Sequence, residues 1–431
     1  MINLFDAVYF LALVFGSPVL LGKTKLRRSI LGRGGKVEPR TSGRPAILFH
    51  AVSVGEAKLL KPLVEKTAEA LPGWEIVVSA TTPTGMEVAK KTLPNVPVVR
   101  FPLDFSWRVN RFLDRVRPDA IVLVELEVWP NFLKSAYKRG IPVIVANGRI
   151  TRKSAQNYKR ISLITRRIFG RLERVAAQNE SYAARFQAVG VPDERITVTG
   201  NVKHDGLSPG EKPELAAAVR SELKVRADER VLVLGSTREG EENIFVEMLP
   251  EICDKNQSVV TVIAPRHLER VPEIRRLLEQ RGMEYALKTA LDKGAARRGN
   301  VIILDTMGEL ARIYHAADAV FVGGSLVPLG GQNMLEPAAA GKPVVFGPHT
   351  DNFCEEAGIL LDAEGAIEAS DPAAARDALK RILFDKNEAK RLGANAVSAI
   401  AKLGGAAARH AEIIRAAAMK KIAGAPKNAD N

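Results

Sequence analysis

Short apolar runs suited to buried parallel strands recur along the chain and alternate with segments of helical character. In the first half they are Ala46–Phe49, Glu75–Ser79, Val96–Val99, Ala120–Val124, Pro142–Ala146, Arg174–Ala177 and Arg195–Val198. In the second half they are Arg230–Leu234, Val259–Ala264, Asn300–Leu304, Ala319–Val322 and Pro343–Phe346. Helical stretches such as Ala57–Ala70 and Glu241–Ile252 fall between them. The alternation predicts an α/β protein with two doubly wound, Rossmann-like units in tandem, and 431 residues is too long for a single core. The turn-rich stretch Asp205-Gly206-Leu207-Ser208-Pro209-Gly210-Glu211-Lys212-Pro213 marks the boundary. The expected division is a segment 1–36, a first domain 37–207, a second domain 208–422 and a disordered tail 423–431. Open sheets of this kind bind ligands beyond the carboxyl ends of their strands, so chemistry is expected in a cleft between facing domains.

The N-terminus follows a different pattern. Leu4 to Leu21 is almost wholly apolar, broken only by Asp6, Gly16, Ser17 and Pro18, and its length of about 18 residues is near the lower limit for a bilayer span. A basic cluster follows: Lys23, Lys25, Arg27, Arg28, Arg33 and Lys36. No basic stretch precedes the apolar run, which argues against a cleaved signal peptide. The expectation is a membrane-anchor helix with the rest of the chain on the cytoplasmic side, either spanning or lying in the interface, in preference to a core helix of the first domain. The net charge of +14 fits two partners, nucleic acid or an anionic membrane surface. No RNA-binding aromatic pattern or helix-turn-helix accompanies it, so membrane is expected and nucleic acid is not. The two cysteines, Cys253 and Cys354, and six scattered histidines form no zinc-binding pattern. Gly22-Lys23-Thr24 resembles the end of a phosphate loop, but its spacing from Gly16 is wrong and no strand precedes it.

The most informative stretch is Gly323-Gly324-Ser325-Leu326-Val327-Pro328-Leu329-Gly330-Gly331-Gln332-Asn333-Met334-Leu335-Glu336-Pro337, set between a strand and a short helix that Gly341 ends. Glycines there let backbone N–H groups approach an anion, and the helix start favours a phosphate. Glu336 can accept from sugar hydroxyls, although its spacing from Asn333 also fits a capping box. The expected ligand is a nucleotide carrying a sugar. No Gly-x-Gly-x-x-Gly follows a strand, which argues against a dinucleotide oxidoreductase. No Asp-x-Asp pair follows an apolar strand, so nothing demands a divalent metal to hold a sugar donor's diphosphate, and no cofactor is expected.

Other strand ends carry chemistry too. His50-Ala51-Val52-Ser53-Val54-Gly55-Glu56 puts Glu56 at a helix start, where it can act as a general base or simply complement the helix dipole. Glu125 and Glu127 end a buried strand on the same side, facing the cleft or capping the next helix and pairing with Arg149 or Lys134. Lys203, in Gly200–Asp205, can hold an anionic substrate or remain a solvated surface lysine. In the second half Gly235–Glu242, Ala264–His267 and Met307–Leu310 follow strands, with Arg266 suited to a phosphate and Gly308 to close approach of a base or ribose.

These blocks, with Thr82-Pro83-Thr84-Gly85, Ala146-Asn147-Gly148-Arg149, Gly347-Pro348-His349 and Asn352-Phe353, resemble the 3-deoxy-D-manno-octulosonic acid (Kdo) transferases of lipopolysaccharide synthesis along nearly the whole chain. The resemblance implies a GT-B fold and inverting, metal-independent transfer of Kdo from CMP-Kdo to the lipid A precursor at the inner membrane. By the family's pattern Glu56 accepts the proton, while Glu125 and Lys203 stabilise the transition state. CMP would contact Pro265, Arg266, Met307, Gly308, Glu309, Asn333, Met334, Leu335 and Glu336. Departures from that pattern are Arg238 and Gln332 for histidines, Met334 for proline and His204 for phenylalanine. Rival readings are a GT-B enzyme using another donor such as a UDP-sugar, a non-catalytic nucleotide-binding protein, and an RNA-binding protein.

Overall fold

A computed structural model describes residues 3–15, 37–252 and 258–424. It divides into two compact units, Leu207–Leu403 and a first unit made of Met1–Gly206 together with Gly404–Asn431. The first unit holds a parallel sheet of seven strands: β1 Ala46–Ala51, β2 Glu75–Ala80, β3 Val98–Arg100, β4 Ala120–Val124, β5 Val143–Gly148, β6 Arg174–Ala177 and β7 Ile196–Val198. Their order is β3-β2-β1-β4-β5-β6-β7. The second unit holds β8 Arg230–Thr237, β9 Val259–Pro265, β10 Tyr285–Leu287, β11 Val301–Ile303, β12 Ala319–Val322, β13 Val344–Phe346 and β14 Ala366–Glu368. That sheet is also parallel and seven-stranded, in the order β10-β11-β9-β8-β12-β13-β14.

The central strands are buried along their whole length because helices cover both sheet faces, which is why they read as unbroken apolar runs. Alternation sends Ile47 and Phe49 of β1 into one core cluster and Leu48 into another. Two edge strands of the second sheet, β10 and β14, have no counterpart in the sequence expectation. Each is three residues long and carries only partly buried side chains at some positions, so neither has an apolar run to betray it.

Sheet order also creates a switch point in each unit. In the first, β1 lies between β2 and β4, so successive connections leave its two sides in opposite directions. In the second, β8 lies between β9 and β12. Crevices open at the carboxyl ends of such strand pairs. The segments after β1 and β4 carry Glu56 and Glu125, and those after β8 and β12 carry Glu241 and the glycine-rich stretch.

One terminus differs from expectation. The helix Ala406–Gly424, expected in the second domain, belongs to the first unit. Its Ala406, Ala407, Ile414 and Ala418 share a core with Ile47, Phe49 and Leu60. Small residues let the helix approach that closely, and nothing in an alanine-rich pattern tells which unit it packs on. At the other end, Leu4–Phe15 is a helix of 12 residues. No helix among the described residues is long and apolar enough to cross a membrane. The rest of the expected anchor and the basic cluster lie outside the described residues, as does most of the tail from Ala423.

Candidate functional site

The first unit brings Lys203, Glu56 and Arg149 within electrostatic reach of Glu125: burial raises the Glu125 pKa, Lys203 and Arg149 lower it, and Glu56 raises it, with a net upward shift. Glu56 lies in the first turn of the helix Val54–Ala70, capped by Ser53. Its carboxylate accepts from the Val52 N–H at 2.7 Å and from the Ser53 hydroxyl at 2.7 Å. Ser53 Oγ in turn accepts from the Glu56 N–H at 3.4 Å, which completes a capping box. The ordinary helix-start role is therefore real, and both carboxylate oxygens are engaged in it. Glu56 remains 8% exposed.

Glu125 is the first residue past β4 and takes φ +61°, a conformation non-glycine residues seldom adopt. Its N–H is tied to Ala146 O at 2.9 Å. Glu127 accepts from the Trp129 indole at 3.1 Å. Asn147, at the end of β5, and Ser236, at the end of β8, also have positive φ, and each coincides with a break in strand register. Three of the six non-glycine residues with positive φ among the described residues thus stand at strand ends that flank the candidate sites.

Lys203 is exposed on a short 3-10 turn, Val202–Gly206. The C-terminal helix holds that turn. Asp205 accepts from the Ala406 and Ala407 N–H groups at 2.9 and 2.6 Å, and the Asn147 side chain accepts from the Val202 N–H at 3.0 Å. Behind Asn147 lies His410, fully buried, whose Nδ1–H points to Ala406 O at 2.6 Å and whose Nε2 accepts from the Asn147 N–H at 2.7 Å. Nε2 must stay unprotonated to accept, and burial lowers the His410 pKa from 6.5 to about 4. The unfolded chain takes up this proton near pH 6.5 and the folded one near 4, so stability falls as pH drops through that window and levels off below it. Thermal melts from pH 7 to 4 should show a loss of about 3 kcal/mol that His410→Gln lacks. Parallel curves for the two proteins would remove His410 from this role.

The second unit departs from the expected phosphate cradle. The N–H groups at the head of the glycine-rich stretch already have an anion, the carboxylate of Glu241. Its Oε2 accepts from Gly324 at 2.6 Å and Arg238 at 3.0 Å, and its Oε1 accepts from Ser325 and Leu326, both at 3.0 Å. Glu241 is fully buried; burial pushes its pKa up, and the four N–H groups pull against that. A Cβ at Gly323 would stand 2.6 Å from Ser236 O and 2.8 Å from a Glu241 oxygen, so only glycine fits there. Glu241 has no assigned role in the sequence expectation. A glutamate opening a helix at the switch point was the available signal.

The residues expected to contact CMP fall into two groups. Arg266, Met307 and Gly308 are exposed at the ends of β9 and β11, and Gly308 has φ +86° with open space over its α-carbon. Glu309 lies 3.4 Å from the Lys288 ammonium, which is buried and also pairs with Asp292. Burial alone would lower the Lys288 pKa, but these carboxylates reverse the effect and raise it. By contrast Pro265, Met334 and Leu335 are buried, the last two in the core beneath the loop, so they offer a ligand little side-chain surface. Asn333 and Glu336 bond side chain to side chain at 3.0 Å, while Asn333 Oδ1 accepts from the Leu335 N–H at 3.1 Å. That is half of the capping arrangement expected, and Glu336 stays only partly buried.

Comparison with known proteins gives this arrangement its family. A sequence model described as 3-Deoxy-D-manno-octulosonic-acid transferase (kdotransferase) matches residues 27–206. A 3-deoxy-D-manno-octulosonic acid transferase of Haemophilus influenzae is 32% identical over 349 residues, 80% of this chain and 81% of that protein. The chain belongs to the 3-deoxy-D-manno-octulosonic acid transferase family. Another such transferase, from Chlamydia pneumoniae, is 31% identical over 366 residues, 83% of each chain. Among solved structures, a glycosyltransferase from Rickettsia africae has a TM-score of 0.57 at 11% identity, covering 87% of this chain and 99% of that one. A UDP-GlcNAc 2-epimerase from Neisseria meningitidis has a TM-score of 0.56 at 14% identity, covering 87% and 100%. These likenesses show the fold, two α/β units with parallel seven-stranded sheets in the GT-B class. As a member of the Kdo transferase family the protein is a glycosyltransferase.

Proposed function

We propose that the protein transfers Kdo from CMP-Kdo to the lipid A precursor, with inversion at the anomeric carbon and without a metal, on the cytoplasmic side of the inner membrane. The observation that carries the reading is the gathering of Glu56, Glu125, Lys203 and Arg149 at the switch point of the first sheet of a Kdo transferase family member. Glu56 takes the proton of the acceptor hydroxyl as its oxygen bonds to the anomeric carbon, and the bond from that carbon to the CMP phosphate breaks. Lys203 balances negative charge on the acid sugar, and Glu125 stabilises positive charge at the anomeric carbon. CMP departs with its charge, which Arg266 offsets, and the nucleoside rests against Met307, Gly308 and Glu309.

Membrane attachment is part of the same reading. Ile161, Leu163 and Ile164 are exposed, Leu163 by 83%, beside Lys159, Arg160, Arg166 and Arg167. Apolar side chains flanked by cations fit an anionic lipid surface, beside the anchor expected at the N-terminus. The test is mass spectrometry of the lipid after incubation with CMP-Kdo and the tetraacyl lipid A precursor. The expected product is heavier by one or more Kdo residues; an unshifted lipid, or transfer only from a UDP-sugar, overturns the assignment.

A further inference from the structure

The N-terminal helix turns apolar side chains outward and buries a carboxylate against the first unit. Val8, Phe10 and Leu11 are exposed, whereas Asp6 is 1% exposed. A carboxylate is buried only where partners repay its lost hydration, and Asp6 has four. Its Oδ1 accepts from the Ser106 N–H at 2.8 Å and the Asn131 amide at 3.1 Å. Its Oδ2 accepts from the Ser106 hydroxyl at 2.6 Å and the Asn3 N–H at 3.0 Å. Two more contacts follow along the same helix face. Asn3 Nδ2 donates to Asn131 Oδ1 at 2.8 Å, and the Tyr9 hydroxyl donates to Asp104 Oδ2 at 3.1 Å.

Three of these bonds lead to the start of the helix Pro130–Lys138, those of Asp6 and Asn3 with Asn131 directly and that of Tyr9 through Asp104. Asp104 accepts from the Asn131 N–H at 3.0 Å and the Phe132 N–H at 2.8 Å, satisfying first-turn donors that no side chain at the cap position reaches. Asn131 is 1% exposed and bonded to both Asp6 and Asn3. Between the end of β4 and this helix stands only the segment Glu125–Trp129. So short a connection follows its ends: a shift of the helix start must be absorbed within it, and its first residue is already held at φ +61°.

We propose that Asn3, Asp6 and Tyr9 are positioning residues for the transfer reaction: through Asp104, Ser106 and Asn131 they fix the helix start that sets Glu125. The proposal rests on the reading that the first unit acts on the acceptor. A helix that only anchors the protein needs no buried carboxylate aimed at an acceptor-side loop.

The test uses the full chain in detergent, with CMP-Kdo as donor and two acceptors, the tetraacyl lipid A precursor and its deacylated, water-soluble form. Asp6→Ala should lower kcat on the deacylated acceptor about tenfold or more, while CMP affinity and co-sedimentation with anionic phosphatidylglycerol vesicles stay at wild-type values. Tyr9→Phe keeps the ring against Phe105 and removes only the hydroxyl, so it should reduce kcat about two- to fivefold with an unchanged melting temperature. Full kcat on the soluble acceptor together with lost vesicle binding makes the helix an anchor alone and overturns the proposal. Loss of kcat and CMP affinity in equal measure in both variants overturns it too. If the wild type glycosylates neither acceptor, the functional reading fails instead.

Discussion

Glu56→Gln is expected to cut turnover by about three orders of magnitude while CMP affinity and melting temperature stay near wild type. Removing a general base removes a contribution of about 10²–10⁴-fold. The choice of glutamine matters because Glu56 has a second job. Its carboxylate closes a capping box with Val52 and Ser53, and truncation to alanine would add a stability loss of about 1 kcal/mol. Glutamine keeps an oxygen that accepts from the Val52 N–H and an amide that donates to Ser53 Oγ, so the helix start survives while basicity does not. The rival for the role is Glu125, whose pKa burial raises and which shares the site. Single-turnover CMP release by both glutamine variants separates them. If Glu56→Gln keeps more than a tenth of wild-type kcat and Glu125→Gln does not, the base is Glu125.

The same geometry explains which parts of the molecule were legible in the chain. Strands β4, β8 and β9 announce themselves because burial on both faces demands unbroken runs such as Ala120–Val124. The chemical groups at their carboxyl ends were visible for the complementary reason that acids and glycines interrupt such runs abruptly. What sequence could not supply was partnership between distant segments. Nothing in Glu241 advertises that its oxygens meet N–H groups more than 80 residues later, so the glycine-rich stretch read as an empty anion site. Asp6 looked like a blemish in an apolar run, because its partners Ser106 and Asn131 lie on other elements. The helix Ala406–Gly424 was put in the wrong unit for a related reason. Its attachment depends on His410 beside Asn147, on the Ala406 and Ala407 N–H groups that meet Asp205, and on alanines packed in the first unit's core, contacts that periodicity does not encode.

Glu241 should then be as consequential for donor binding as Glu56 is for chemistry. Alanine at this position strips acceptors from the buried N–H groups of Gly324, Ser325 and Leu326, and from Arg238. At about 1–3 kcal/mol for each group that finds no new partner, with partial rewetting of the loop, the second unit should lose about 3–5 kcal/mol. Glutamine is the sharper probe because the hydrogen bonds divide evenly. One oxygen serves Ser325 and Leu326, the other Gly324 and Arg238, so an amide satisfies one pair and sets an NH2 group against the other. The unit should stay folded with its loop displaced, and calorimetric titration should find CMP bound about 10- to 100-fold more weakly, about 1.4–2.7 kcal/mol. Aspartate, shorter by one methylene, cannot span both pairs and should fall on the same side. A Glu241→Gln protein that melts like wild type and binds CMP equally well would mean that the loop holds its shape without the carboxylate. In that case the N–H groups are free to serve a phosphate after all.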